Sequence, residues 1–364
     1  MSLNIGVDVG GTTSTICVGD DEGRIVNISP QFPTRNADGP DATIQDIVNA
    51  IVAALTKLDS DLGDVRRVTI ATPGPATRDG VLSSTPNLRR DIWENCPIRE
   101  LLQLQLQNTA TAAGLKNTND LTAGYVGDGQ AAALGEFAAR RGDVSFASDV
   151  DVSLGIDPGQ TQTDLDSLFM VAVGTGLGGG EVRGGKVIQG AEGRAGHAGH
   201  IMLPADAFRY DHDRTLQVGN ATSTVESAVS LTALTHQVGY RLQLPQWKDH
   251  ALNQVPGTDK DRAKLLRELA ANGDALALEL FEDQAKALGV ALLCIQYIGD
   301  YDVLVIGGGV CDLSTQVRSQ YLTTAKQSFY DRALDGFRSF DRIEFSRCGD
   351  HASVIGAYFH ALGN

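Results

Sequence analysis

Short apolar runs of strand length alternate with stretches of helical spacing along the whole chain, a pattern that predicts an α/β protein. Residues 4–28, NIGVDVGGTTSTICVGDDEGRIVNI, open it. Ile5 and Val7 point one way and Asp8 ends the first strand. Gly10 and Gly11 form the turn, because without a Cβ the backbone can take positive φ or approach a neighbour closely, turning its N–H groups inward. A β-branched run from Thr12 to Ile16 leaves as the second strand, and DDEG at 20–23 reads as the next hairpin turn. Residues 168–190, LFMVAVGTGLGGGEVRGGKVIQG, repeat this grammar, with Gly174, Thr175, Gly176, Gly178 and Gly179 in the turn. Two strand–glycine–strand segments, one per half, predict a duplicated fold whose halves face each other.

Between them lie helices and further strands. In residues 42–58, Ile44, Ile47, Val48, Ile51, Val52, Leu55 and Leu58 share one helical face, and Thr43 with Asp46 resembles a capping box at the start. Residues 67–75 form a short buried strand ending in Pro-Gly-Pro. Residues 130–140 and 274–298 read as helices, the latter apolar enough to be largely buried. A buried strand at 301–310 runs into Gly307, Gly308 and Gly309, and a helix follows from Ser314. Residues 350–362 close the chain as a helix. The acidic, turn-rich stretch 142–167 reads as a surface insertion and 204–222 as a second loop of that kind.

Length and composition fit two domains with separate cores, since 364 residues exceed what one core usually organises. Apolar content is 42% and charged content 21%, so disorder is excluded as the dominant state. The net charge of −15 argues against nucleic acid or an acidic membrane surface as a partner. No apolar run has the length of a membrane span and no leader opens the chain. Cys17, Cys96, Cys294, Cys311 and Cys348 are scattered and odd in number, which reads as reduced thiols in the cytoplasm.

The two glycine turns are the candidate chemistry. Together they make a phosphate cradle, with Asp8 placed to hold a water on Mg²⁺ and Thr175 approaching from the opposite side, so the chain is expected to bind ATP with Mg²⁺. Taken alone, the first turn is equally an ordinary hairpin with a solvated aspartate. Gly174-x-Gly176-x-x-Gly179 also spells a dinucleotide fingerprint, but that motif must open a helix, and the EVRGGKVI that follows is strand material. No GxxxxGK[ST] loop occurs. Gly307–Gly309 suits either an adenosine seat or a plain helix entry.

The segments DVGGTT at 8, PGP at 73, PN at 86, GDGQAAALGE at 127, GTGLGGG at 174, AGHAGH at 195, VES at 225, IGGGV at 306 and GDHASVIGA at 349 occur in an order and spacing that resembles the ROK family (repressors, open reading frames, kinases). The resemblance implies the two-domain actin-like ATPase (ribonuclease H-like) fold with an interdomain cleft. It also implies a small domain of residues 1–125 plus the terminal helix 350–364, and a large one of 126–349. Repressor members carry an N-terminal helix-turn-helix; here the phosphate motif begins at Asp8, so the kinase branch is expected. The implied reaction moves the γ-phosphoryl of ATP to a sugar hydroxyl, usually the primary one, with glucose leading and fructose or an N-acetylated amino sugar open. A non-catalytic sugar or nucleotide sensor is the alternative of another class. Members are often dimers or tetramers, so a homodimer is open too.

Residue by residue, Asp128 matches the family's catalytic base, although Asp-Gly before QAAALGEF is also good helix-cap chemistry, and both roles are compatible. Asp120, in the nearby NTND, also follows an Asn but lacks the helix. Asn87 matches a sugar-hydroxyl contact, with an Asx turn as its plain explanation. Glu226 matches a contact near the anomeric end, while Ser223-x-x-Glu226 is itself a capping box. His200 matches the histidine of the Gly-His pair. Departures are informative: His197 stands where the family usually has glutamate, and Gly127 where it has the asparagine before the base. An imidazole accepts one hydrogen bond and donates one, whereas a carboxylate only accepts. The family's zinc cysteines fall at Gln217, Gly219 and Thr224, so no structural zinc is expected.

Overall fold

The computed structural model describes residues 2–83, 87–115, 121–147, 150 and 161–363. The chain divides into two compact units. One comprises Met1–Leu168, Gly180–Gly196 and Arg347–Asn364, the other Phe169–Gly179 and His197–Ser346. The break read from the sequence, at 125/126, falls within the first of these.

In the first unit, β1 (Leu3–Val9), β2 (Thr13–Asp20), β3 (Arg24–Ile28), β4 (Phe32–Pro33), β5 (Val65–Thr72), β6 (Thr122–Gly127) and β7 (Ser145–Phe146) form one sheet. Its order is β6-β5-β1-β2-β3-β7, with β4 pairing β2. β1 runs parallel to β5 and antiparallel to β2. The alternation of side chains along a strand assigns each face of β1 its partner. Leu3, Ile5, Val7 and Val9 join a core with Ile44, Ile47, Val48 and Ile51 of helix α1 (Pro40–Lys57). Each such buried aliphatic side chain is worth about 1.5–3 kcal/mol. Asn4, Gly6 and Asp8 occupy the other face, against the terminal helix Ala352–Ala361. A Cβ on Gly6 would collide with the backbone of Val354 and Tyr358, so glycine is required for that helix to lie down.

After α2 (Arg90–Trp93) and α3 (Ile98–Ala112) comes helix α4 (Asp128–Arg141), and the same demand recurs between it and the terminal helix. A Cβ on Gly135 would strike the Ala352 carbonyl, and one on Gly356 the Ala131 carbonyl. The two helices therefore cross in backbone contact. Beneath the crossing Glu136 and Arg140, both fully buried, pair at 3.0 Å.

Several local expectations are corrected. α1 begins at Pro40, not near Thr43; proline supplies the first turn, where no N–H partner is needed, and no side chain caps it. Thr43 is buried inside the helix, so the capping box there does not form. Val52 is 37% exposed, off the core face that Ile44, Ile47, Val48, Ile51 and Leu55 define. Asp120 and most of the 142–167 insertion lie outside the described residues.

In the second unit, β8 (Ser167–Val173), β9 (Leu177–Arg183), β11 (Val303–Gly308) and β12 (Ile343–Phe345) are neighbours in the order β9-β8-β11-β12. The far end of β9 pairs with β10 (Lys186–Val187) in the segment belonging to the first unit. The core of the second unit is built on helix Ala275–Gly299, capped by Asp274 and buried along most of its length, as its apolar sequence predicts. Helix Thr315–Arg332 starts just after Ser314. Residues 204–222 are not a mere surface loop. Asp213 is 1% exposed and receives both terminal nitrogens of the fully buried Arg241, at 2.9 and 2.7 Å, and Arg241 also reaches Glu279 and Asp283.

Candidate active site

Each unit carries one of the glycine turns, and each is described within its own unit. Between β1 and β2 the Gly10 N–H donates to the Thr13 carbonyl at 2.8 Å, closing the turn. Neither Gly10 nor Gly11 has positive φ, which corrects the conformational half of the sequence argument. The close-approach half applies: a Cβ on Gly11 would lie 2.7 Å from the Asn87 carbonyl oxygen. The turn and the Asn87 loop therefore touch, with the Asn87 residue exposed. Thr12 is exposed as well, and its carbonyl accepts from the Thr34 N–H at 2.8 Å.

Asp8 follows the β1 alternation onto the face of the terminal helix, where Ser353 Oγ donates to its Oδ1 at 2.7 Å. Burial pushes the carboxyl up to about 6; the Ser353 bond opposes this and the charge of Asp350 adds to it. Asp128 is the first residue of α4 rather than its cap, which is Gly127; its Oδ1 accepts from the Gly129 N–H at 2.6 Å. Gln130, three residues past Gly127, does part of the capping by accepting from the Gly127 N–H at 3.4 Å. Burial first, then the negative charge of Asp8, pushes Asp128 up to about 7, against backbone hydrogen bonds that pull it down. Both residues remain partly reachable by solvent. A carboxylate titrating near neutrality, at a helix N-terminus and open on one side, is suited to accept a proton from a hydroxyl.

The residues present fit Mg²⁺. The charge acting on Asp8 is that of Asp350 and the charge acting on Asp128 is that of Asp8, all negative, and the donors are hard oxygens of the kind that cation prefers. Asp8 would hold it through water. Among the described residues no three His, Cys, Asp or Glu side chains gather closely enough to ligate a metal directly.

In the second unit the Gly174 N–H donates to the Gly176 carbonyl at 2.9 Å. Added Cβ atoms on Gly174 and Gly178 would meet nothing, so the backbone there faces open space, and Thr175 is exposed. The turn is held from behind: Leu231 N–H donates to the Gly174 carbonyl, and Thr232 Oγ1 to the Thr175 carbonyl at 2.8 Å. Glu226 braces the other side, its Oε2 accepting from the Leu177 N–H at 2.7 Å, and a Cβ on Gly176 would fall 2.6 Å from that oxygen. The capping box expected at Ser223 does not form; Thr224 is the cap, accepting from Ser227 N–H at 3.2 Å, which leaves the Glu226 carboxylate to the turn. His197 and His200 are exposed, with their rings stacked 6.2 Å apart.

Gly307, Gly308 and Gly309 have packing reasons of their own. Gly308 has φ +76 and abuts the Val173 backbone, Gly307 abuts the Met170 methyl, and the Arg267 guanidinium lies over Gly309 while pairing with Asp312 at 3.0 Å. Among the described residues no disulfide forms, three of the five cysteines are buried, and no helix is long and apolar enough to cross a membrane.

Sequence reasoning missed Ser353, Gln130 and Asn36. Ser353 stands inside the GDHASVIGA segment, but its partner, 345 residues away, is not legible there. Nothing in the periodicity singles out Asn36.

The family model described as ROK family matches residues 4–141 and 138–363. A glucokinase of Halalkalibacterium halodurans is 25% identical over 359 residues, 97% of this chain and 92% of that protein. An N-acetylmannosamine kinase of Escherichia coli is 26% identical over 306 residues, 84% of this chain and 82% of its own. Among solved structures, a ROK family glucokinase from Streptomyces griseus in complex with glucose and AMPPNP has a TM-score of 0.70 at 24% identity, each chain covered fully, which shows the shared actin-like ATPase fold. With matched segments spanning nearly every residue from β1 to the terminal helix, this chain belongs to the ROK family.

Proposed function

We propose that this protein is an ATP-dependent sugar kinase that phosphorylates the primary hydroxyl of a hexose, glucose first in line, with Asp128 as general base. The observation that carries the reading is the Asp128 carboxyl, raised to about 7 and partly open at the start of α4. Its free oxygen would take the proton of the sugar hydroxyl as that oxygen attacks the γ-phosphorus. The bond from γ-phosphorus to the bridging oxygen then breaks and ADP departs with the electron pair. Mg²⁺, when bound, offsets charge on the phosphate oxygens. The turn backbone at Gly10–Thr13 and at Gly174–Gly178 is what we assign to phosphate oxygens, each within its own unit. Asn87, His197, His200 and Glu226 are assigned to the sugar. Glu226 would do this through Oε1, because Oε2 is engaged by Leu177.

N-acetylmannosamine is the second candidate, because a kinase of that name matches at similar identity over 84% of this chain. A coupled assay that follows ADP release across a sugar panel tests both. Turnover of glucose or N-acetylmannosamine is expected; nucleotide binding without phosphorylation of any sugar would instead mark a sensor.

A further inference from the structure

Asn36 lies in the loop after β4, remote in sequence from every motif of the site, yet its half-buried side chain joins two of them. Its Nδ2 donates to the Gly11 carbonyl at 3.2 Å and to the Asn87 carbonyl at 3.1 Å. Its Oδ1 accepts from the Arg89 N–H at 2.8 Å, and its own carbonyl accepts from the indole N–H of Trp93 at 2.9 Å. Two carbonyls on one side and an N–H on the other admit only one orientation of the amide. The Gly11 and Asn87 carbonyls would otherwise bring like partial charges together where the turn and loop touch; the NH₂ group between them turns that repulsion into two hydrogen bonds.

The strand leading to Asn36 is itself fixed to the turn. Thr34 N–H donates to the Thr12 carbonyl at 2.8 Å, and the Ser14 and Thr34 hydroxyls share a buried hydrogen bond of 2.7 Å. Downstream, Trp93 is fully buried and anchors the short helix α2 (Arg90–Trp93) that follows Asn87. The exposed Asn87 side chain is therefore held at a set height above the Gly10–Thr13 turn by one amide.

We propose that Asn36 is a positioning residue for sugar binding, which sets the Asn87 side chain against the phosphate turn. The proposal rests on the reading of Asn87 as a sugar contact. Full-length Asn36→Ala, Asn36→Asp and Asn87→Ala are compared with the parent for KM of glucose and N-acetylmannosamine, KM of ATP, kcat and thermal midpoint. Asn36→Asp keeps the acceptor for Arg89 but turns an oxygen toward the two carbonyls. Both Asn36 variants are expected to raise the sugar KM at least tenfold while the ATP KM stays within twofold.

A sugar KM within twofold of the parent in both Asn36 variants, while Asn87→Ala raises it, overturns the inference and leaves the kinase reading intact. A general loss, with both KM values rising alongside a fallen thermal midpoint, makes the role structural and overturns it too. An unchanged sugar KM in Asn87→Ala removes the premise, and the inference falls with it. No turnover of any sugar of the panel by the parent defeats the kinase reading itself.

Discussion

Replacing Asp128 with Asn should stabilise the nucleotide-free protein while disabling it. Holding this carboxylate ionised is costly, because it titrates at about 7 rather than 3.8. The folded pKa is raised, so the folded state binds the proton more tightly and stability falls as pH climbs from about 4 to 7. Above about pH 8 the full penalty is present, with a ceiling of about 4 kcal/mol. Water reaching one side of the group reduces this, and about 1–3 kcal/mol is the expected gain for the neutral amide at pH 8. Asn keeps an Oδ1 to accept from Gly129 N–H, so the helix start should survive. At pH 5 the aspartic acid is already protonated in the fold, and the ceiling drops to about 1–2 kcal/mol. The assay is thermal unfolding in chelator without nucleotide, parent against variant, at pH 8 and pH 5, paired with turnover. Turnover should fall by about 10²–10⁴, the range for a lost general base. A variant less stable than the parent at pH 8, a gain equal at both pH values, or a turnover loss under tenfold would refute the reasoning.

Gly11→Ala places a methyl 2.7 Å from the Asn87 carbonyl oxygen and 3.2 Å from its Cβ; steady-state kinetics should show a raised sugar KM, and denaturation a loss of about 1–3 kcal/mol typical of overpacking. Arg241→Ala strands Asp213 without its buried cation, while Asp283 keeps Arg209 at 2.7 Å, and a urea titration should register about 3–5 kcal/mol of destabilisation, whereas Arg214→Ala, an exposed pair, should cost under about 1.

How much could be read beforehand follows from where the information lies. The strands around both glycine turns, the helix at 274–298 and the terminal helix announce themselves, because burying them requires a local apolar pattern. Their ends are less legible: α1 starts at Pro40 because proline suits a first turn, a cue outweighed in the sequence by the Thr43–Asp46 pair. Asp128 is visible through its helix, but its raised pKa is not, since that depends first on burial in the folded chain and then on the charge of Asp8 arriving from β1. Glu226 shows the opposite error. The capping arithmetic from Ser223 is sound chemistry, yet Thr224 takes the cap, and the carboxylate turns to the Leu177 N–H instead. Asn36 escaped because a single polar residue in a loop has no period, and its four hydrogen bonds exist only once three distant segments are folded together.

The bare crossing of α4 and the terminal helix has a consequence for interpreting variants. Residues 8 and 128 belong to different layers of the first unit, and the spacing between their carboxyls is inherited from how deeply Gly135 and Gly356 let two backbones nest. A methyl group at either glycine would pry the layers apart, shifting both acids at once. Such a substitution would mimic loss of the proposed base in a kinetic assay, though it touches neither carboxyl.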